Sequence, residues 1–362
     1  MARVVAASDT SARDMSDGRL PGTPCGGVEP AGRSSATRRG ALAPTRGRIG
    51  DALTPVEVIA IFGPTATGKT LIAEDVAVRL GTEVVSVDAM QVYRGLPILT
   101  NQPTGPTRLV GFRGLDREMS VGEFAPLAHH EIDTVVETYG AAVVAGGTGL
   151  YLRAALAELA VPPRAPAAIR ARIAAEVGRN AAAAHARLVQ LDSEAAARVH
   201  PNDRQRLSRA LELAELGRSL VRGQDRLWGD DHRRPTLVVG LEVPAAELER
   251  RIRERTHEML ARGAVDEVRA ALAGPISRTA AKTLGLREIA ELDEAEAVER
   301  IVARTRRYAA YQRKWMRRIP GLVPIDANRP SRESADVILA LVEDARRGRL
   351  AGLGPERGNV TM

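Results

Sequence analysis

The chain has 362 residues, 44% hydrophobic and 27% charged, which allows a sizeable core in one large domain or two to three ordinary ones. No stretch approaches the ~18 consecutive apolar residues of a membrane helix, and the single cysteine, Cys25, excludes an internal disulfide and a cysteine-based zinc site. A reducing, cytoplasmic setting without a membrane partner is the simple expectation. The formal charge is +7, but residues 1–51 hold eight arginines against five acids and residues 345–362 hold four against one, so any nucleic-acid surface must be a local patch.

Residues 1–53 are rich in Gly, Pro, Ser, Ala and Arg, without sustained apolar periodicity, and are expected to be disordered. They lack the apolar core of a secretory signal. Val56 to Phe62 is a buried-strand candidate, followed by a Gly-rich turn and a helical pattern through Leu71, Ile72, Val76 and Leu80. Glu83 to Val87 predicts a second strand ending in Asp88, and Ala141 to Ala145 a third ending in Gly146-Gly147. Thr236 to Leu241 predicts a fourth. Apolar strands alternating with helices imply an α/β fold with a parallel sheet covered on both faces. Between Glu158 and Arg234 no strand is expected; that Ala- and Arg-rich stretch has helical spacing and is bracketed by Pro162-Pro163 and Pro235. The expected organisation is a core at 54–157 and 237–327, a helical insertion at 158–236, and a C-terminal helix with a loose tail at 328–362.

Gly63, Pro64, Thr65, Ala66, Thr67, Gly68, Lys69 and Thr70 fit G-x-x-x-x-G-K-[ST] completely, between a strand and a helix as the motif requires. The expected fold is therefore a P-loop NTPase-like sheet. Loop amides and a helix N-terminus can cradle a polyphosphate, Lys69 can reach its terminal group, and Thr70 can ligate Mg²⁺. Asp88 ends the second strand, at the edge where such sheets bind ligands. It can serve as Mg²⁺ ligand, as general base or as a turn cap.

The sequence becomes specific at Asp88-Ala89-Met90-Gln91-Val92-Tyr93-Arg94-Gly95, which with the phosphate loop resembles the bacterial tRNA dimethylallyltransferases. Further matches follow in order: Gly146 to Tyr151, His200 to Glu212, Arg251 to Arg255 with Met259-Leu260, and Thr305 to Ala309 with Gln312 and Trp315. The resemblance spans about Val56 to Asp326. It implies transfer of a dimethylallyl group from dimethylallyl diphosphate to the exocyclic amine of the adenosine just 3′ of the anticodon. It also implies a cytoplasmic monomer that uses Mg²⁺ and binds the tRNA anticodon stem-loop. Asp88, Thr148 and Arg255 become the catalytic candidates. Asp88, Ala89, Met90, Gln91, Thr148, Arg170, Gln205, Arg206, Leu207, Ser208, Arg209 and Lys282 become the tRNA-binding candidates. The sequence departs from the family at Gln102, Phe112-Arg113-Gly114, Leu286 and Ala310-Tyr311, all on the substrate side rather than in the phosphate loop.

An exocyclic adenine amine is a weak nucleophile, so a carboxylate able to accept its proton and cations able to hold the departing diphosphate are the chemistry to look for. The target base must leave its stack to reach the phosphate loop, which suits a single-stranded loop. Besides the insertion, the stretch Arg300 to Arg318 carries eight basic residues and no acid, and reads as a second RNA-facing surface. His129-His130-Glu131 lacks the i, i+4 spacing of a helical metal site. His200 reads as structural or RNA-facing. Transfer to a free adenine nucleotide, a small-molecule P-loop kinase, and a catalytically silent RNA-binding protein are the competing readings.

Overall fold

A computed structural model describes residues 56–159, 161–162, 164–221, 229 and 231–349. The expectations for residues 1–53 and for the end of the tail fall outside the described residues. The expected strands form as β1 (Val58–Phe62), β2 (Val84–Ser86), β4 (Ala142–Gly146) and β5 (Thr236–Glu242). Two short strands join them: β3 (Thr107–Arg108) and β6 (Val323–Asp326). The order is β3-β2-β4-β1-β5-β6, and every pairing is parallel.

Alternation along β1 sends Ile59 and Ile61 to one face and Val58, Ala60 and Phe62 to the other, and all five are buried. That is why the strand reads as a continuous apolar run. On the first face Ile72 and Val76 of α1 (Lys69–Leu80) meet Ile338 and Val342 of α12 (Ser331–Arg346). On the second, Phe124 and Ile132 of α2 (Val121–Tyr139) pack with Leu152 of α3 (Gly149–Leu156). The start of α2 is fixed by a capping box: Ser120 accepts from the Glu123 N–H while Glu123 accepts from the Ser120 N–H. Leu71 departs from the expected inward stripe. It is 62% exposed, because the helix phase that buries Ile72, Ala73 and Val76 turns it toward the cleft beside the phosphate loop.

The stretch between Glu158 and Arg234 contains α4 (Ala167–Arg179), α5 (Ala181–Leu191), α6 (Ser193–Arg198) and α7 (Arg204–Glu215), and no strand among the described residues. These helices bury their own cluster, including Ile173, Val177, Leu188, Leu207 and Leu211. After β5 come α8 (Ala245–Ala261), α9 (Ala264–Leu272), α10 (Leu286–Glu291) and the long α11 (Glu294–Met316). Among the described residues no helix is long and apolar enough to cross a membrane.

Candidate active site

After β1 the chain moves to β2 on one side of the sheet, and later to β5 on the other, so the order reverses between β1 and β4. Ligands of open α/β sheets bind at such a point, outside the carboxyl ends of the strands. The loops following β1, β4 and β2 lie side by side there. They carry the phosphate loop, Thr148 and Asp88 respectively.

Gly68 closes the phosphate loop at φ 85° and Ala66 sits at φ 64°, both in the left-handed region. The Lys69 ammonium donates back to the Pro64 carbonyl at 2.6 Å. Burial lowers its pKa from the ordinary lysine value to about 7, with Asp88 opposing the shift and Arg255 adding to it. Arg255 arrives from α8 and donates to the Thr65 hydroxyl at 2.8 Å. Burial also lowers its pKa, and Asp88 and Glu258 oppose that. Sequence context alone would place Arg255 in a surface ion pair with Glu258; instead its guanidinium turns to the loop.

Asp88 accepts the Met90 N–H at 2.9 Å through one carboxylate oxygen. It therefore caps its own turn and still presents the other oxygen. Thr148 stands at the N-cap of α3 but makes no capping bond. Its hydroxyl instead accepts from the Ala89 N–H at 3.4 Å and lies 3.3 Å from the Tyr308 hydroxyl. Tyr308 and Gln312, both on α11, carried no assigned role in the sequence. Gln312 accepts the Thr65 N–H at 2.8 Å and donates to the Gly147 carbonyl at 2.7 Å. Their membership in the Thr305 to Trp315 motif was the available signal.

Two cavities meet at these residues. One, of about 380 Å³, lies along Lys69, Thr70 and Arg255. The other, of about 620 Å³, runs past Ala89, Met90 and Thr148 to Gln205, Arg164 and Lys282. Asp88, Thr65, Arg255 and Tyr308 line both. A third space of about 40 Å³ adjoins Thr70, Glu74, Ser86 and Asp88.

The RNA candidates divide. Gln205 and Lys282 line the large cavity, and Arg206 is exposed. Ser208 is half-buried, and Arg209 is held by Glu212 at 3.1 Å and by the Pro162 carbonyl at 2.7 Å. The Leu207 side chain is 0% exposed inside the insertion's core, so it supports the face from below. Gln91 engages Ser86 and the Asn101 carbonyl with its amide. Arg170 lies 3.3 Å from Glu118. The Arg300 to Arg318 stretch is not a bare basic face. Arg304 pairs with Glu288, Arg306 with Glu249 at 3.0 Å, and Arg313 donates to the Val243 carbonyl at 2.6 Å. His129 bonds the Ala154 carbonyl at 2.8 Å, and His200 accepts from the Asn202 N–H at 3.1 Å. At the departures, Gln102 donates to the Tyr93 carbonyl at 2.7 Å, Leu286 is buried, and Tyr311 sets its ring edge-on to Trp315.

Residues 91–319 match the family model described as IPP transferase. A tRNA dimethylallyltransferase of Anaeromyxobacter sp. (strain Fw109-5) is 39% identical over 289 residues, 75% of this chain and 96% of the relative. One from Acidothermus cellulolyticus is 37% identical over 294 residues, 77% of this chain and 91% of the relative. The crystal structure of the tRNA isopentenylpyrophosphate transferase of Bacillus halodurans superposes with a TM-score of 0.57 at 29% identity, over 80% of this chain and 98% of that one. A eukaryotic dimethylallyltransferase shares the fold, with a TM-score of 0.66 at 22% identity over 81% of this chain and 80% of that one. This chain belongs to the IPP transferase family.

Proposed function

We propose that this chain is a tRNA dimethylallyltransferase. It moves a dimethylallyl group from dimethylallyl diphosphate to the exocyclic amine of the adenosine 3′ of the anticodon, releasing diphosphate. The observation that carries the reading is the meeting of a phosphate-loop cleft and a larger cavity at Asp88. A donor in the first and a flipped adenine in the second would put the amine, the allylic carbon and the carboxylate together. Family membership and the names of the relatives support the same reaction.

The amine lone pair forms the new N–C bond as the allylic C–O bond breaks, and that electron pair leaves with the diphosphate. The amine proton passes to the free oxygen of Asp88. Lys69 and Arg255 turn from the Pro64 carbonyl and the Thr65 hydroxyl toward the diphosphate, whose negative charge grows as it departs. Thr148, bonded to Ala89 and Tyr308, holds the acceptor side.

Mg²⁺ fits the residues present. Thr70, Asp88 and Glu74 offer hard oxygen donors around one small space, and Glu74 Oε1 is buried without a partner. Among the described residues no three acidic, histidine or cysteine side chains form a metal cage, so substrate phosphates would complete the shell. Bound there, the ion would neutralise leaving-group charge. We further read residues 158–236 as the RNA-binding insertion, on the strength of their separate core, and the enzyme as a cytoplasmic monomer.

The test is transfer of labelled dimethylallyl groups with Mg²⁺ to an anticodon stem-loop. The same stem-loop carrying guanosine at the target position, and AMP, run beside it. Label only in the adenosine stem-loop, lost in Asp88→Ala, is the expected result. Label in AMP would reassign the chain to a free-nucleotide acceptor.

A further inference from the structure

Glu118 receives three arginines from three separate segments. Arg164, on the connection into the insertion, pairs with its carboxylate. Arg170, on α4, lies 3.3 Å away, and Arg278, in the loop after α9, lies 3.5 Å away. The backbone fixes this convergence. Arg113 donates to the Glu118 carbonyl at 2.8 Å, and the Met119 N–H donates to the Tyr93 hydroxyl at 3.1 Å. The Ser277 N–H donates to the Leu115 carbonyl at 2.7 Å, and the Ser277 hydroxyl to the Arg117 carbonyl at 3.2 Å. Arg278 is thereby brought beside Glu118.

One carboxylate cannot neutralise three guanidinium groups, and Glu212, whose charge also reaches Arg164, is paired with Arg209 at 3.1 Å, so two positive charges remain in surplus. The pKa of Arg164 is lowered by burial first, then by repulsion from Arg170 and Arg278. The Arg170 Nε is buried without a hydrogen-bond partner. Arg164 lines the large cavity beside Gln205 and Lys282, whereas none of the three arginines lines the phosphate-loop cleft. The surplus charge therefore lies on the acceptor side, away from the donor's diphosphate.

We infer that Arg164, Arg170 and Arg278, gathered by Glu118, form a binding site for one backbone phosphate of the RNA strand that delivers its adenosine to the cavity. The inference rests on the tRNA reading of the site. Its chemistry is that of a phosphate monoanion held by several guanidinium groups, as arginines commonly recognise phosphates.

The experiment measures the dissociation constant of an anticodon stem-loop against salt for wild type, Arg278→Ala and Arg164→Ala/Arg278→Ala. The Arg278 side chain is 64% exposed, so the single variant keeps the test meaningful should the double variant fold poorly. Loss of one phosphate contact should flatten the log–log salt slope by about 0.7 to 1. Affinity at low salt should fall roughly tenfold, the scale of a lost hydrogen bond to a charged group. A neutral methylphosphonate at one linkage near the target adenosine should weaken wild type and leave the double variant indifferent. Affinities and slopes unchanged within twofold would overturn the assignment. So would loss of affinity for inorganic phosphate or diphosphate with RNA binding intact, which would give the cluster to a free anion. A wild type that transfers to the stem-loop while the variants bind RNA normally would refute this site alone. A wild type that never binds the stem-loop would refute the tRNA reading as well.

Discussion

Replacing Gln312 by leucine removes one side chain and orphans two backbone groups in different loops. Gln312 is 2% exposed, and its amide joins the Thr65 N–H of the phosphate loop to the Gly147 carbonyl after β4. Leucine fills similar volume but bonds neither. The Gly147 carbonyl left buried and unpaired costs about 1 to 3 kcal/mol and the part-buried Thr65 N–H up to as much again, so the pair costs roughly 1 to 6 kcal/mol. At about 1.5 °C per kcal/mol for a folded body of this size, the unfolding midpoint should fall by at least roughly 1.5 °C. The effect reaches function because Thr65 also accepts from Arg255. A loosened Thr65 no longer holds the phosphate loop or the waiting guanidinium in place to meet the diphosphate, so KM for the donor should rise while the RNA dissociation constant holds. Calorimetry and steady-state kinetics with the donor varied read both effects.

Gly147 supplies the control. A methyl built at Gly147 would overlap the Gln312 amide and meets little else closely. Gly147→Ala should therefore cost less in a Gln312→Ala background than alone, with a coupling energy of about 0.5 to 3 kcal/mol. Strict additivity, or a Gln312→Leu variant within 0.5 kcal/mol of wild type as surface substitutions usually are, would refute the latch.

The remaining predictions concern the reacting groups and the sheet edge. Asp88→Asn should lower kcat by about 10²- to 10⁴-fold, since proton acceptance is lost; single-turnover transfer at saturating donor and Mg²⁺ checks it. Tyr308→Phe removes the hydroxyl that meets Thr148 at 3.3 Å, and should reduce kcat without raising donor KM in the same assay. Gly146→Ala should destabilise by about 1 to 3 kcal/mol or more, because a Cβ there would sit 2.6 Å from the Val87 carbonyl oxygen, a backbone atom that cannot swing away. The lowered Lys69 pKa makes the donor-free protein gain stability as pH rises above about 7 toward the unfolded lysine value, because the unfolded chain binds the extra proton in that window. Below about pH 7 the cost of burying the ammonium is present in full. Lys69→Met should flatten that slope in denaturant titrations at pH 7 and 9.

The legible parts of this molecule are those whose signal is local. The phosphate loop, the strand before it and the helix after it lie within one short segment and announce themselves by period and glycine. By contrast, β3 has two residues and no apolar run, and β6 is a half-exposed edge strand interrupted by Pro324, so neither carries a periodic signature. The same logic divides the site. Asp88 could be placed because it follows a readable strand, and Thr148 because it stands in the Gly146 to Tyr151 match that follows another. Gln312 acts on a partner 247 residues earlier, and only the packed sheet reveals that its amide joins donor loop to acceptor turn. Charge read in one dimension leaves out the partners that the fold supplies. The eight basic residues from Arg300 to Arg318 read as an open RNA face, yet Arg304 and Arg306 meet acids on other helices. The Glu118 cluster reverses that lesson. Its three arginines are separated by up to 114 positions and leave no run in the sequence, but the fold gathers them on Glu118, with Arg164 at the cavity. A charge surplus that survives folding, rather than a basic stretch in the sequence, is therefore the better guide to where the RNA backbone lies.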